Sequence, residues 1–181
     1  IVICKDKSSF DFEAAKAKLS ASLKRDYSKI AREWPYQNVP RRIIAEEYIS
    51  ELGNDDLLDY KMYSFHGEPK LTVVCSDRFS KSGTRMNFYD INWAPMGIHF
   101  GHYPPLPNEF PKPATYEEMK RITAELSKEC PFLRVDFYEI KGRLFIGELT
   151  FFPGAGLETF RPMSKDYELG EWLHLETVHR S

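Results

Sequence analysis

Two β-type runs separated by a short turn at Lys141-Gly142 constrain the fold of this 181-residue chain more than any other feature. The runs cover residues 133–140 and 144–152, and both are rich in apolar and aromatic residues. Two such runs around a short loop containing glycine predict an antiparallel β-hairpin. Asp136 lies within the first run and Glu148 within the second. Because an acidic group in an apolar strand is costly unless a cation meets it, the hairpin is predicted to carry a site.

The length of the loop decides whether Asp136 and Glu148 meet. A two-residue loop, Lys141-Gly142, pairs Asp136 with Gly147 and turns Glu148 to the other face. A three-residue loop with a G1 bulge places Asp136 opposite Glu148, with Thr150 on the same face. A shift of one residue moves every side chain of a strand to the opposite face. The prediction that the two acids meet therefore requires the three-residue loop.

Facing carboxylates point to a bound cation. At cross-strand distance, roughly 5 Å between Cβ atoms, they repel each other unless they share a proton or a cation. Mg²⁺ suits such a site, because it usually takes one or two carboxylates together with substrate phosphates. The alternative is an ordinary surface hairpin with both acids solvated. If the pair exists for a metal, Asp136→Asn and Glu148→Gln should leave the metal-free fold intact or more stable.

Further β-type runs predict strands elsewhere in the chain. They occupy residues 1–4, 43–49, 60–65 and 71–75. The turn at residues 66–69 predicts that the last two runs form a second hairpin. The chain also starts abruptly on an apolar run, which suggests a fragment of a longer protein.

Helical periodicity appears in two places, which makes the predicted class α+β. Apolar residues recur at spacings of three and four over residues 9–29, as in an amphipathic helix. The sequence at residues 115–118, Thr-Tyr-Glu-Glu, is typical of a capping box. A second helix is therefore expected from there, with Met119, Ile122 and Leu126 as its buried stripe.

Composition excludes several classes of partner. A formal net charge of −2 gives no electrostatic footprint for nucleic acid or an anionic membrane. No apolar run approaches the roughly 20 residues that span a bilayer. Cys4, Cys75 and Cys130 lack CxxC spacing, which is typical of reduced thiols in a cytoplasmic protein. We expect no nucleic-acid partner and no membrane span.

Several short motifs follow one another through nearly the whole chain. They are Lys5-Asp6-Lys7, Arg32-Glu33-Trp34-Pro35-Tyr36, Ile44-Ala45-Glu46-Glu47-Tyr48-Ile49, Asp59-Tyr60-Lys61, Gly67-Glu68-Pro69-Lys70, Asp77-Arg78, Tyr89-Asp90 with Asn92-Trp93, Arg134-Val135-Asp136 and Gly147-Glu148-Leu149-Thr150-Phe151. Together they resemble the TupA-like family of ATP-grasp enzymes, which is associated with teichuronopeptide and other surface-polysaccharide biosynthesis.

The resemblance implies an α+β fold of two small lobes of antiparallel sheet with flanking helices, which hold ATP between them. Residues 1–49 would form part of the N-terminal lobe, as strand, helix and interlobe strand. Residues 50–181 would form the C-terminal lobe with the hairpin at 133–152. The phosphate-binding loop of the family should precede Ile1, so the N-terminal lobe is expected to be incomplete.

The resemblance also implies the metal ligands. In ATP-grasp enzymes the late hairpin supplies acidic Mg²⁺ ligands, and by resemblance Asp136 and Glu148 take that role. The superfamily commonly has a third ligand, an Asn two residues beyond the glutamate. This chain has Thr150 there, whose hydroxyl binds Mg²⁺ more weakly.

Nucleotide contacts follow from the same resemblance. The stretch Glu46-Glu47-Tyr48-Ile49 resembles the interlobe strand that holds adenine, with an ordinary strand end as the alternative. Lys61 and Arg78 are expected to contact the phosphates and to act in catalysis. Lys61 lies in an otherwise apolar strand, where an unpaired ammonium would be costly, so an anionic partner is expected.

The implied activity is that of an ATP-dependent carboxylate–amine ligase. A carboxylate is activated to an acylphosphate, which an amine then attacks, with ATP and Mg²⁺ required. Small-molecule or glycan carboxylates and amines would be the substrates, polysaccharide-synthesis enzymes the protein partners, and the cytoplasm the location. Two alternatives remain: a non-catalytic nucleotide- or sugar-binding module, and an ATP-dependent phosphotransferase to a sugar hydroxyl.

Overall fold

The chain forms two compact units, Ile1–Leu52 and Gly53–Ser181. The computed structural model describes residues 1–30, 32–48, 57–76, 83–100, 103 and 109–175. The assignment of these units to ATP-grasp lobes with a boundary at residue 49 stays a prediction.

The first unit is helical in its described part. It contains helix α1 (Phe12–Leu23), helix α2 (Tyr27–Ile30) and a 3₁₀ helix at Trp34–Asn38. The single helix predicted over residues 9–29 is therefore wrong at residues 24–26, where the helix is interrupted. Asp26 accepts a hydrogen bond from Ser28 Oγ at 2.7 Å. An aspartate that bonds to a neighbouring residue in this way competes with helix continuation.

Two strands predicted in the first unit are absent from its described residues. Residues 1–4 and 43–48 have no regular secondary structure. A strand requires a neighbour that completes its backbone hydrogen bonds. No described segment of this unit supplies one.

The second unit is built on a five-stranded antiparallel sheet. Its strands are β1 (Asp59–Phe65), β2 (Glu68–Ser76), β3 (Arg85–Asp90), β5 (Phe132–Ile140) and β6 (Arg143–Thr150). Their order in the sheet is β3-β2-β1-β5-β6. A separate two-stranded sheet pairs β4 (His99–Phe100) with β7 (Phe160–Arg161). With helices α3 (Tyr116–Ser127) and α4 (Met163–Gly170), the unit confirms the predicted α+β class.

Both predicted hairpins are present. β1 and β2 are joined by the two-residue turn His66-Gly67, whose φ angles are 50° and 80°. Left-handed backbone at both central residues is the geometry of a type I′ turn, which suits the twist of paired strands. The β5–β6 hairpin contains the two acids and is described with the site.

The sheet buries a core on each face. α3 covers one face, where Met62, Val135 and Phe137 pack with Met119. On the other face Tyr63, Phe65, Leu71 and Val73 pack against Ile98, Phe100 and Leu169. Adjacent strand residues point to opposite faces, so β1 contributes alternately to the two cores.

The start of α3 differs from the predicted capping box. The Thr115 side chain makes no cap to the helix. Instead its backbone N and its Oγ1 both donate to Glu139 Oε2 on β5, at 3.0 and 2.5 Å. The predicted stripe is correct for Met119 but wrong for Leu126, which is 42% exposed. Thr123 and Ser127 are buried at that end of the helix instead.

Candidate functional site

The strands of the β5–β6 hairpin place Asp136 directly opposite Glu148. The loop between them nevertheless holds only two residues, because Ile140 pairs with Arg143. The predicted three-residue loop is therefore wrong, although the predicted meeting of the acids is correct. Strand β6 contains one extra residue, which compensates for the shorter loop. It lies where the register of the β5–β6 pairing shifts, next to Asp136 and Phe137 of β5.

Gly147 is the extra residue of this β-bulge. Phe137 pairs with Ile146 and Asp136 pairs with Glu148, which leaves Gly147 between them without an opposite residue. A Cβ on Gly147 would lie 2.6 Å from Cε2 of Tyr138. The ring of Tyr138 therefore occupies the space that any side chain at this position would need. Bulges of this kind redirect a side chain next to functional sites, as happens here to Glu148.

Two parallel rows of side chains cross the sheet on the face opposite α3, to which Tyr63 belongs. Lys61, Asp136 and Glu148 are neighbours on β1, β5 and β6 and form the first row. Tyr63, Arg134 and Thr150 are paired in the same order and form the second row. We use the name charged row for the two rows taken together, with Asp59 added. It brings together four of the residues that the sequence singled out, Lys61, Asp136, Glu148 and Thr150.

Asp136 is the centre of the charged row. Its side chain is 3% exposed and both of its oxygens are bound. Lys61 Nζ donates to Oδ2, and Arg134 donates from Nε to Oδ1 at 2.7 Å and from Nη2 to Oδ2 at 2.9 Å. Lys61 Nζ also donates to Asp59 Oδ2 at 2.7 Å. The anionic partner expected for Lys61 is thus a pair of buried carboxylates of the chain itself.

Glu148 lies at the solvent-exposed end of the row. Its side chain is 60% exposed, and its Oε2 lies 3.5 Å from Arg134 Nη2. Thr150 Oγ1 donates to Glu148 Oε1 at 3.1 Å. Both residues lie on β6, the edge strand of the sheet. A ligand from solvent therefore reaches Glu148 without passing through the core.

The two cations are held in their charged forms. Burial acts to lower the pKa of Lys61, but the negative charges of Asp59 and Asp136 outweigh it, so the pKa of Lys61 is raised. The same balance raises the pKa of Arg134, whose burial is outweighed by its bonds to Asp136. Both groups therefore remain positive at neutral pH, next to the position where an anion would bind.

The donor set fits Mg²⁺ on one condition. Asp136 and Glu148 present two carboxylates on one face, and Mg²⁺ usually takes one or two of these with phosphate oxygens and water. Within the described residues no group of three or more His, Cys, Asp or Glu could hold a metal by itself, so the remaining ligands would come from a nucleotide or water. Because Lys61 and Arg134 bind both oxygens of Asp136, a metal there must displace at least one of them.

The structure does not test the roles of the other predicted nucleotide residues. Glu46, Glu47 and Tyr48 lie in the first unit and are exposed, and Lys5 Nζ lies 5.6 Å from the centre of the Tyr48 ring. Ile49 and Arg78 fall outside the described residues. The roles of these five residues therefore stay predictions.

Asp59 and Arg134 were not predicted as site residues, although both lie in motifs that carry the family resemblance. The signal that identifies them is the two-residue period of a strand. Asp59 stands two residues before Lys61, and Arg134 two residues before Asp136. In each case the two residues share a face of the sheet, because they are two positions apart on one strand.

Comparison with known proteins identifies the family of the chain. The family model described as TupA-like ATPgrasp matches residues 1–174 of the 181-residue chain. Searches of the curated proteins and of the solved structures returned no significant match. Among the described residues, no helix has the length and apolar character that crossing a bilayer requires. The match covers both units and includes every residue of the charged row, and the chain therefore belongs to the TupA-like ATP-grasp family.

Proposed function

We propose that this protein is an ATP-dependent carboxylate–amine ligase that binds magnesium–nucleotide at the charged row. The observation that carries the proposal is the position of Asp136 opposite Glu148, in one row with Lys61 and beside Arg134. Family membership supports ATP as the substrate. Two carboxylates beside two cations offer what a metal-bound polyphosphate needs, namely oxygen ligands for the metal and positive charge for the phosphates.

Asp136 and Glu148 would hold the metal, with Thr150 as a weaker third ligand. Mg²⁺, when bound, would neutralise charge on the phosphates as the terminal phosphoryl group transfers. Lys61 and Arg134 can then exchange their bonds to Asp136 for bonds to phosphate oxygens. The exchange conserves their pairing with an anion, so neither buried cation is left unpaired. Arg78 is proposed as a further phosphate contact.

The reaction proceeds in two steps. A carboxylate oxygen of the first substrate attacks the terminal phosphorus of ATP, the bond to the bridging oxygen breaks, and ADP leaves with the electron pair. The nitrogen of the amine then attacks the carbonyl carbon of the acylphosphate, phosphate departs, and the nitrogen loses a proton. Fixed positive groups that face the developing charge supply most of the rate in phosphoryl transfer. Lys61 and Arg134 fill that role here.

The adenine end of the nucleotide is assigned to Glu46-Glu47-Tyr48-Ile49. Its support is the family resemblance together with the exposure of Glu46, Glu47 and Tyr48, which leaves them accessible to a ligand. A uronic acid or a glutamyl group of a surface polymer is the carboxylate that the resemblance favours. Polysaccharide-synthesis enzymes are then the natural partners, and the cytoplasm, where ATP is supplied, is the natural compartment.

Trapping of the acylphosphate tests the proposal. The protein is incubated with Mg²⁺–ATP, hydroxylamine, and glucuronate or glutamate in separate reactions. A ligase converts the acylphosphate to a hydroxamate and releases ADP and phosphate in equal amounts, and Glu148→Gln, a change at an exposed side chain, abolishes this product. A stable sugar phosphate without free phosphate would instead identify a phosphotransferase. Nucleotide binding without any ADP release would identify a non-catalytic module, and either result would overturn the proposal.

A further inference from the structure

An apolar cavity of about 740 Å³ lies on the same sheet face as the charged row. Its floor contains Phe65 and Phe132, from β1 and β5. Most of the rest of the lining comes from residues 151–175, which we call the C-terminal segment, and includes Phe152, Leu169 and Leu173. Pockets of roughly 300–1,000 Å³ with mostly apolar walls are typical of small-molecule sites. The volume suits a compact organic substrate.

Among the residues that the structure describes, every charged residue that lines this cavity is acidic. The three are Glu129, Glu158 and Asp166. Asp166 already accepts a hydrogen bond from Phe160 N at 2.8 Å. Glu158 forms no ion pair or hydrogen bond within the part of the chain that the structure describes. An apolar cavity with an uncompensated carboxylate selects a ligand that has a hydrocarbon body and a positive group.

Tyr63 connects the cavity to the charged row. It lines the cavity and stands opposite Arg134 in the sheet, and Arg134 is bound to Asp136. Glu158 lines the same cavity as Tyr63. The cavity and the charged row therefore share the residue Tyr63.

We propose that this cavity binds the amine substrate, with its hydrocarbon body between the sheet and the C-terminal segment and its ammonium group at Glu158. The inference rests on the proposed ligase function, and it names the amine as one with an aromatic or aliphatic body. In this position the amine lies in a cavity that shares Tyr63 with the charged row, where the acylphosphate would form. Binding of both substrates on one sheet face converts the second step to a reaction between adjacent groups.

Calorimetric titration with matched small molecules tests this site directly. The full chain is titrated, without nucleotide or metal, with 2-phenylethylamine, with the neutral 2-phenylethanol and with the anionic 3-phenylpropionate. The amine should bind about tenfold more tightly than the alcohol, as expected for one charge-assisted hydrogen bond, and the anion should not bind. Glu158→Gln should remove the preference for the amine and leave the affinity for the alcohol unchanged. Glu171→Gln, an exposed acid outside the cavity lining, is the matched control.

A second variant tests the cavity itself. Gly170 lines the cavity, and a Cβ there would meet no other heavy atom within 4 Å. Gly170→Leu should fill the space and abolish binding of both the amine and the alcohol, while circular dichroism shows an intact fold. Equal affinity of the wild-type protein for amine and alcohol would overturn the proposal, and so would a preference that survives Glu158→Gln.

Binding of Mg²⁺–ATP, measured separately on the wild-type protein, distinguishes this inference from the function on which it rests. Intact Mg²⁺–ATP binding without an amine preference would overturn the cavity assignment alone. An amine preference dependent on Glu158 without Mg²⁺–ATP binding would overturn the ligase proposal, and with it the role of the amine as a substrate.

Discussion

Asp136 and Glu148 stand directly opposite each other on adjacent antiparallel strands, and the bulged Gly147 is the residue that permits it. Without the bulge, the two-residue loop would turn Glu148 to the α3 side of the sheet. The ring of Tyr138 covers Gly147 and leaves no space for a side chain. The site thus depends on Gly147 because this residue has no side chain, and not because it contacts a substrate.

Gly147→Ala should destabilise the fold and disturb the site. The new Cβ would lie 2.6 Å from Tyr138 Cε2, so the ring must move or the bulge must change. Overpacking of this kind typically costs about 1–3 kcal/mol. Urea unfolding should show this loss, and the double variant with Tyr138→Ala should lose less than the sum of the two single changes.

Gly170→Ala is the control for this substitution, because its Cβ would meet no heavy atom within 4 Å. Gly170 lies at the end of α4 without a positive φ, so Gly170→Ala should not destabilise the fold and should stabilise it by roughly 0.4–1 kcal/mol. If Gly147→Ala were as harmless as Gly170→Ala, the packing of Tyr138 against the bulge would be wrong.

Asp136→Asn and Glu148→Gln should differ strongly in stability. Asp136 is buried and bonds to Lys61 and Arg134, so neutralising it leaves two buried cations poorly compensated. Breaking a buried ion pair typically costs about 3–5 kcal/mol. Glu148 is mostly exposed, and its loss should cost less than about 1 kcal/mol. We therefore predict that the metal-free fold stays intact in Glu148→Gln and is destabilised in Asp136→Asn. Equal losses in urea unfolding would contradict this description of the row.

The stabilisation from Lys61 should disappear at high pH. Asp59 and Asp136 raise the pKa of Lys61 in the folded protein, against the effect of burial. A raised folded-state pKa gives stability that is complete below the unfolded value, about 10.4, and is lost as pH rises through the folded value. The difference in unfolding free energy between the wild-type protein and Lys61→Met should therefore be constant near neutral pH and shrink above about pH 10.4.

The comparison of these two proteins removes other contributions in the same pH range. Burial also raises the pKa of Tyr63 and Tyr116, so both destabilise the fold at high pH. They are present in both proteins and largely cancel in the difference. A difference that stays constant to the highest pH would show that Lys61 is not held by the two carboxylates.

Four strands of the second unit could be predicted from sequence because they depend on local patterns, whereas β3, β4 and β7 were not predicted. Runs of apolar and aromatic residues indicated β1, β2, β5 and β6, and the residues around Gly67 and Gly142 indicated the turns, although the loop at Gly142 has two residues and not three. The bulge could not be predicted, because it depends on the contact of Gly147 with the Tyr138 ring, nine residues earlier in the sequence. The prediction that the two acids meet was therefore correct, but the cause is the bulge at Gly147 and not the length of the turn.

Tertiary contacts explain the remaining differences. Thr115 has the sequence of a capping residue, yet its hydroxyl bonds to Glu139 on β5, a partner 24 residues away. Lys61 could be recognised as needing an anion, but only the pairing of β1 with β5 identifies that anion as Asp136. In the first unit, residues 43–48 have a β-type sequence and no strand neighbour among the described residues of that unit.

The dependence of ATP affinity on Mg²⁺ tests the assignment of the site most directly. ATP is titrated into the wild-type protein, Glu148→Gln and Glu68→Gln, each with saturating Mg²⁺ and with a chelator. Glu68 is the control because it is also a strand glutamate paired with a cation, Lys70, and it lies outside the charged row. The wild-type protein and Glu68→Gln should bind ATP roughly tenfold or more tightly with Mg²⁺ than without it, and Glu148→Gln should lose most of that gain. An equal gain in all three proteins would contradict a metal–nucleotide site at Asp136 and Glu148.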